Sequence, residues 1–185
     1  MAEQKKFFEV ELPIINQKVQ LIGTEKEIGE RTVKIDLTRR LRGKSLEAVF
    51  KIKQEEGKIK IQPYRFLLLG YFIRRMMRKS VNYVEDSFSL ESKNALLRIK
   101  PFLITRKKVS RKIRTALRIK TKEEIQLAIK EKNYENVFSE ILEGRFQRNL
   151  SLKLKKIYPL SFCEIRDIYV EKPLQEIKVQ EEKVE

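Results

Sequence analysis

The sequence contains no histidine and no tryptophan, and Cys163 is its only cysteine. Histidine is the most common general base and a frequent ligand of transition metals, so its absence removes the usual acid–base and metal chemistry. A single cysteine excludes an internal disulfide and any zinc site built from several cysteines. Cys163 lies in an alternating apolar stretch, which predicts a buried and unreactive thiol. Phosphate-binding glycine motifs and acidic metal loops are also absent, so the sequence favours neither catalysis nor a cofactor.

Long apolar runs are missing as well. The most apolar run, FLLLGYFI (Phe66 to Ile73), has eight residues, whereas a helix that spans a membrane needs about 20. The N-terminal segment lacks the apolar stretch of a signal peptide. From these features we expect a cytoplasmic protein without a membrane span.

Positive charge is what the sequence has in excess. The 185 residues include 42 lysines and arginines against 26 acids, which gives a formal net charge of +16. Enrichment in lysine and glutamate is typical of hyperthermophile proteins, but it explains the total charge and not its sign. An excess of this size attracts polyanions, so nucleic acid and anionic membranes are the leading candidate partners.

The densest positive charge lies in ITRKKVSRKIRTALRIK, residues 104–120, and no acid occurs from residue 93 to residue 122. As a helix, this segment would have a narrow apolar stripe centred on Ile113 and Leu117, opposite a basic ridge. Like charges at i and i+4 destabilise a helix, and solvated faces usually interleave acids, so we interpret the ridge as facing phosphates. The predicted ridge comprises Lys107, Arg111, Arg114 and Arg118, widened by Lys108 and Lys112.

Alternation of apolar and polar residues predicts a β-rich first half. In RTVKIDL, residues 31–37, the apolar residues share one face. Two further runs, AVFKIKQ and KIKIQ, flank the tripeptide EEG at residues 55–57, which is typical of a hairpin with glycine in its turn. KVQLIG at residues 18–23 is another candidate strand.

The period changes after Pro63, where YRFLLLGYFIRRMMRKS at residues 64–80 predicts a helix that begins behind the proline. Its last turns carry four cations, which suit both the negative end of the helix dipole and a phosphate-binding surface. These cations are Arg74, Arg75, Arg78 and Lys79. Next, VNYV and ALLRIKPFLI predict a second pair of strands, and Pro101 makes the latter an edge strand or the site of a bulge.

The remaining chain is predicted to be mainly helical. TKEE at residues 121–124 is a capping box, so we expect a new helix to begin there. YENVFSEILEG and RFQRNLSLKLKKIYP predict two more helices, the second of which carries Lys153, Lys155 and Lys156. CEIRDIYVE, residues 163–171, is expected to form a closing strand with imperfect alternation. A β-rich body followed by helices and a closing strand indicates an α+β fold.

The kind of polyanion can be narrowed from the same residues. The apolar stripe of the basic helix is too narrow for a membrane surface. Aromatic residues are few, so the sequence does not suggest stacking platforms for single strands. What remains is recognition of folded RNA through its shape and its phosphates.

Two alternatives from other classes stay open at this point. A free-standing RNA- or DNA-binding regulator should carry Asn, Gln and Arg at base-reaching spacing, but the basic helix offers only Arg. A nuclease needs clustered carboxylates to hold a metal ion. Glu85, Asp86 and Glu91 are the nearest candidates, and their spacing favours a loop.

Several segments resemble the archaeal and eukaryotic small-subunit ribosomal protein family eS-one, also called the v-fos transformation effector protein family. The most specific match is LKKIYPLSFCEIRDIYVEKP, from Leu154 to Pro173, whose KKIYPL and EIR are similar to the family's closing motif. GERTVKIDLTRRL resembles a family strand, and FIRRMMRKS resembles the basic end of a family helix. A polar TRD that precedes this helix in the family is replaced by LLGYF at residues 68–72. Order and spacing agree from about residue 19 to residue 173, as in a compact archaeal-type member.

The resemblance implies a β-barrel-like core of antiparallel strands flanked by helices. It also implies a structural constituent of the small ribosomal subunit, located on the platform near the mRNA exit. The implied partners are small-subunit rRNA and neighbouring platform proteins, with mRNA near the exit as a further candidate; no membrane, small-molecule substrate, cofactor or metal is implied. The candidate rRNA-binding residues are Arg74, Arg75, Arg78, Lys79, Arg106, Lys107, Lys108, Arg111, Lys112, Arg114, Arg118, Lys153, Lys155 and Lys156.

We expect one domain at residues 18–170. An N-terminal lead-in at residues 1–17, made irregular by Pro13, precedes it. A charged tail at residues 171–185, which is expected to be mobile, follows it.

Overall fold

The computed structural model describes residues 6–12, 14–15, 17–24, 31–41, 43–55 and 58–173. Nine strands and four helices lie in this part of the chain. The strands are β1 (Lys6–Leu12), β2 (Gln17–Gly23), β3 (Thr32–Asp36), β4 (Leu46–Glu55), β5 (Lys58–Leu68), β6 (Tyr83–Glu85), β7 (Phe88–Glu91), β8 (Ala95–Thr105) and β9 (Leu160–Pro173). The helices are α1 (Gly70–Met76), α2 (Arg111–Lys130), α3 (Tyr134–Glu143) and α4 (Arg145–Leu154).

Seven strands form one antiparallel sheet in the order β3-β4-β5-β9-β8-β6, with β7 also paired to β8. The predicted α+β class, with an antiparallel core flanked by helices, is confirmed. In the described residues β3 and β6 end the sheet without pairing to each other, so the core is an open sheet and not a closed barrel.

β1 and β2 form a separate two-stranded antiparallel sheet. β2 matches the strand predicted at residues 18–23, whereas β1 lies in the segment that we expected to be an irregular lead-in. FFEVEL alternates, and Val10 and Leu12 are buried, so the strand signal was present in the sequence. Pro13 and the EEG turn residues Glu56 and Gly57 lie outside the described residues. The tail predicted to be mobile from residue 171 begins too early, because residues 171–173 belong to β9; the rest of it, from residue 174, lies outside the described residues.

The helices cover the large sheet from both sides. Along β8 one face presents Leu97, Ile99 and Leu103, all at most 1% exposed, and helices α2 to α4 pack on this face against β5, β6, β7 and β9. Phe102 points to the opposite face because side chains alternate along a strand. Helix α1 packs on that opposite face, where the Phe72 ring lies 6.0 Å from the ring of Phe162.

The predicted helix at residues 64–80 is only partly correct, because α1 begins at Gly70 and not at Tyr64. The preceding residues continue β5, and the Phe66 segment pairs with both β4 and β9. Pro63 lies opposite Phe50, where the register between β4 and β5 shifts. A bulge tolerates a residue without an N–H, so the proline does not end the strand.

The helix start predicted at Thr121 is wrong, because α2 continues through it without interruption. Thr121 is buried, and its hydroxyl donates to the carbonyl oxygen of Leu117 at 2.6 Å. This bond to the residue four positions earlier satisfies a threonine inside a helix. Because Thr121 is buried against the sheet, it lies inside the helix, although the local sequence resembles a capping box at a helix start.

Three bulges explain the imperfect alternation of β9. The pairing with β8 skips one β9 residue at Ser161, at Arg166 and at Glu171, and each extra residue shifts the faces of the residues that follow. The skip at Arg166 lies opposite the step from Lys100 to Pro101, where the sequence predicted an edge or a bulge. The bulge is confirmed, whereas the edge alternative is wrong because β8 lies between β9 and β6.

Candidate nucleic-acid interface

Antiparallel pairing brings several connections to one end of the large sheet. β3, β5 and β8 end there, whereas β4, β6 and β9 begin there. We call this the basic end, because its connections and the first turn of α2 carry a set of exposed cations. They are Arg39, Arg40, Arg74, Arg75, Arg78, Lys79, Arg106, Lys107, Lys108, Arg111, Lys112, Lys155 and Lys156.

The first predicted cluster lies at the end of α1 and in the turn after it. Arg74 and Arg75 occupy the last turn, where a cation interacts favourably with the helix dipole. The Arg75 guanidinium also lies 5.3 Å from the centroid of the Phe72 ring, a cation–π contact. These two residues therefore stabilise the fold as well as contributing to the charge of the basic end.

A partly buried hydrogen-bond network joins this cluster to the next one. The Asn82 N–H donates to the Thr105 hydroxyl oxygen at 3.1 Å, and the Thr105 N–H donates to the Asn82 carbonyl oxygen at 2.9 Å. The side-chain oxygen of Asn82 accepts the N–H of Val109 at 2.8 Å. Because Lys79 precedes Asn82 by three residues and Lys107 follows Thr105 by two, the network holds the two basic connections side by side.

The start of α2 concentrates positive charge where a helix normally disfavours it. The first turn contains Arg111 and Lys112 and no acid, and the N-cap residue Ser110 makes no side-chain capping bond. The free N–H groups and the dipole already make a helix N-terminus positive, so cations there reduce stability and acids increase it. The same end of a helix is a favourable place for a bound phosphate.

The predicted ridge differs from the structure in three residues. Lys107 and Lys108 precede the N-cap residue Ser110 and are therefore not on the helix. Arg114 is half-buried, and its Nε is buried without a hydrogen-bond partner in the described part of the chain. Arg118 is exposed, and exposed Lys122 follows it one turn later on the same helix. Lys122 was not predicted to extend the ridge, because a new helix was expected to begin at Thr121.

The third predicted cluster divides into two parts. Lys153 lies on α4, and its ammonium is 2.6 Å from the carboxylate of Glu124, which Lys120 also approaches at 3.3 Å. These contacts, led by the bond from Lys153, lower the pKa of Glu124. Lys153 therefore links α4 to α2, whereas Lys155 and Lys156 are exposed in the turn that leads into β9.

Arg39 and Arg40 were not among the candidate residues of the sequence analysis. They are exposed in the β3–β4 connection, which closes through a bond from the Gly43 N–H to the carbonyl oxygen of Thr38 at 3.0 Å. Gly43 has a φ of 84°, a conformation that glycine adopts without strain. In the sequence, both arginines are visible in TRRL, residues 38–41, at the end of the strand that resembles the family. Only the antiparallel topology shows that this connection lies at the same end of the sheet as α1.

Ion pairing distinguishes the cations that define the basic end from three cations on β5 and β8. Within the described residues, no ion pair involves any of the cations that define the basic end. On the sheet, by contrast, buried Asp167 accepts both Nε and Nη2 of Arg65 at 2.8 Å and the Lys100 ammonium at 3.0 Å. Nearby, Arg98 pairs with Glu171, which also accepts the Ser89 hydroxyl at 2.8 Å. Arg65, Arg98 and Lys100 are thus neutralised by acids of β9, whereas the cations that define the basic end have no described ion pair.

The acids considered for a nuclease do not form a metal site in the structure. Glu85 pairs with Arg166, and Asp86 accepts the N–H of Ser87 at 2.9 Å. Over the ranges that the structure describes, no group of three or more acidic or cysteine side chains is placed to hold a metal ion. In the same ranges, no helix combines the length and the apolarity that crossing a membrane requires.

Cys163 is half-buried, and not fully buried as the sequence predicted. Its side chain packs against the hydrophobic core, and burial, aided by the negative charge of Glu164, raises the pKa of its thiol to about 12. At neutral pH the thiol is therefore protonated, and it is a poor nucleophile.

The fold is thus an antiparallel α+β fold that gathers cations without described ion pairs at one end of its large sheet. Comparison with known proteins specifies the family. The chain belongs to the ribosomal S3Ae family, whose model matches residues 2–173. This is a family of ribosomal proteins and not of enzymes, and the membership confirms the resemblance found in the sequence.

Individual relatives carry the name small ribosomal subunit protein eS1. The protein of this name from Nanoarchaeum equitans is 29% identical over 179 residues, which cover 91% of this chain and 90% of the relative. That from Saccharolobus islandicus is 28% identical over 88% of this chain and 83% of the relative. That from Halorubrum lacusprofundi is 26% identical over 64% of this chain and 55% of the relative.

Proposed function

We propose that this protein is a structural constituent of the small ribosomal subunit and binds small-subunit rRNA through the basic end. The family and the names of the relatives support its place in the subunit. The expected position on the platform near the mRNA exit, with neighbouring platform proteins and mRNA as partners, belongs to the same proposal.

The observation that carries the proposal is the first turn of α2. Arg111 and Lys112 oppose the helix dipole there and have no described acidic partner. A surface that destabilises the free protein is reasonable when a bound polyanion compensates for it, and RNA phosphates have the required charge. By contrast, Arg74 and Arg75 are explained in part by the dipole of α1, and Lys153 is explained by Glu124.

We therefore expect the RNA contacts to differ in strength. The centre of the proposed interface is formed by Arg106, Lys107 and Lys108, which the Asn82 network holds beside the connection after α1, and by Arg111 and Lys112. Arg78, Lys79, Arg118, Lys155 and Lys156 extend it, and Arg39 and Arg40 join it on the side of β3. Arg114 and Lys153 contribute least, because one is half-buried and the other is paired.

Sucrose-gradient sedimentation of cell lysates tests the proposal directly. The wild-type protein should migrate with the small subunit and remain there in moderate salt. A variant with Arg106→Gln, Lys107→Gln and Arg111→Gln should shift to the top of the gradient as salt is raised.

The matched control is Lys93→Gln, Lys130→Gln and Lys172→Gln. These three lysines are exposed at the opposite end of the sheet and have no described ion pair, and the control removes the same charge. It should sediment like the wild-type protein. A wild-type protein found only at the top of the gradient at every salt concentration would contradict the ribosomal proposal and favour the regulator.

A further inference from the structure

Tyr83 is a large aromatic side chain left exposed within the basic end. It is 56% exposed at the start of β6, the end strand of the large sheet. Its strand partner is Ile104, two residues before Arg106. Adjacent Cα atoms are 3.8 Å apart and paired ones at most about 5.5 Å, so the Cα atoms of Tyr83 and Arg106 lie within about 13 Å.

The ring is held in a fixed orientation from behind. Its centroid lies 6.0 Å from that of Phe102, and the two planes are inclined by only 24°, which is a stacked arrangement. Phe102 is 2% exposed, so the ring rests on the core. The preceding residue, Asn82, is fixed by its bonds to Thr105 and Val109. A ring that is already ordered loses little conformational entropy when something stacks on its outer side.

A row of aromatic contacts links Tyr83 to the cluster at the end of α1. Phe102 contacts Phe162 at 6.4 Å, and Phe162 contacts Phe72 at 6.0 Å. Phe72 in turn carries the Arg75 guanidinium over its ring. The strand partner of Tyr83 thus lies two residues before Arg106, and Tyr83 lies at the far end of the aromatic row that carries Arg75. Phosphates bound by these cations would lie on the same side of the sheet as its ring.

We propose that Tyr83 is a stacking platform for one unstacked RNA base. The proposal rests on the proposed rRNA binding and adds a kind of contact that the charge alone does not provide. Every base has a π-face, so an aromatic ring stacks on it without reading the sequence. Unpaired bases occur in loops and bulges of folded RNA, and the basic end would therefore face such a site and not only a continuous duplex.

Affinity for in-vitro-transcribed small-subunit rRNA, measured at several salt concentrations, tests the proposal. Tyr83→Leu keeps an apolar cover over Phe102 but removes the π-face, and it should weaken binding by about 5- to 100-fold. The slope of log affinity against log salt should not change, because no charge is removed. Tyr83→Phe keeps the ring and should bind like the wild-type protein.

Phe7→Leu is the matched control, since Phe7 is 72% exposed on the separate two-stranded sheet. It should leave affinity unchanged. Equal binding of wild-type protein and Tyr83→Leu, or equal weakening in Tyr83→Phe, would overturn the stacking role while leaving rRNA binding intact. Normal rRNA affinity of Tyr83→Leu combined with its loss from the small subunit would also overturn it and indicate a protein contact. Absence of wild-type binding would instead refute the proposed function.

Discussion

At the scale of single residues, Asp167 shows how this basic chain neutralises charge inside the sheet. The carboxylate is 2% exposed and receives a guanidinium from β5 and an ammonium from β8. The guanidinium and the ammonium also lie over the Tyr169 ring, at 5.5 and 5.6 Å from its centroid. The hydrogen bonds from Arg65 to Asp167 raise the pKa of Arg65, so it remains charged. Three strands are joined by this one acid.

We predict that Asp167→Asn lowers the free energy of unfolding by about 2–3 kcal/mol, because two cations then face each other without a buried counter-charge. Urea denaturation at neutral pH measures the change. Glu91→Gln, which removes an exposed carboxylate without a described ion pair, should change stability by less than about 0.5 kcal/mol. Equal effects of the two substitutions would show that the Asp167 contacts do not stabilise the sheet.

The ionisation of Cys163 makes the stability of the fold depend on pH in the alkaline range. Burial raises the pKa of its thiol from 9.0 to about 12, and burial likewise raises the pKa of Tyr134 to about 12. A group whose pKa is higher in the folded state stabilises the fold below its unfolded pKa, and this stability is lost as pH rises through the folded pKa. For Cys163 the loss falls between about pH 9 and pH 12.

We therefore predict that Cys163→Ala loses less stability than the wild-type protein when the pH is raised from 8 to 11. Urea denaturation at several pH values measures both proteins, and comparing slopes removes the packing cost of the substitution. Folded wild-type protein should also react slowly with iodoacetamide at pH 8. Rapid alkylation of the folded protein would contradict the burial of the thiol.

At the scale of elements, α2 carries its charges in an order that favours binding over stability. Its N-terminal turn is basic and its last turn carries Lys130. Only the cation at the C-terminal end interacts favourably with the dipole. The charge at the C-terminal end of α2 therefore stabilises the helix, whereas the charge at its N-terminal end destabilises it.

We predict that Lys112→Glu raises the stability of the isolated protein by about 0.3–1 kcal/mol, because an acid at the N-terminus favours the dipole. The same substitution should weaken binding to rRNA. Lys130→Glu, with the same charge change at the other end of α2, should lower stability and leave rRNA binding unchanged. Thermal melts at low and high salt measure the effect, which should shrink as salt screens it. Destabilisation by Lys112→Glu would contradict this interpretation of the α2 N-terminus.

Element type could be predicted from the sequence wherever local pattern and tertiary pairing agree. The β4–β5 hairpin and helices α3 and α4 are of this kind, and they were found. Two predictions from local pattern are wrong because burial between neighbouring elements favours another structure. Residues 64–68 continue β5 and do not begin a helix, and Thr121 lies inside α2 and not at a helix start. β1 forms where an irregular lead-in was expected, because the alternation of FFEVEL lets Val10 and Leu12 be buried ahead of Pro13.

The candidate site was predictable in composition but not in arrangement. Charge density identified the segment around Arg111, and the resemblance supplied the family. Which cations are neutralised internally depends on contacts between distant segments, as between Lys153 and Glu124, and no local pattern encodes them. Arg39 and Arg40 join the basic end only through the strand order, and Tyr83 becomes a stacking candidate only through its position over Phe102.

At the scale of the whole molecule, the proposed interface requires the net charge of +16 to act on RNA through one end of the sheet. The alternative is that the charge attracts RNA uniformly over the surface. The two descriptions predict the same affinity for the wild-type protein at any one salt concentration. They differ when equal charge is removed from opposite ends.

The most direct measurement is the salt dependence of affinity for small-subunit rRNA. The slope of log affinity against log salt reports the number of phosphates neutralised, at about 0.7 to 0.9 per contact. Arg106→Gln, Lys107→Gln and Arg111→Gln together should reduce its magnitude by about 2 to 3, and Lys93→Gln, Lys130→Gln and Lys172→Gln should leave it unchanged. Equal reductions by the two sets would contradict an interface at the basic end.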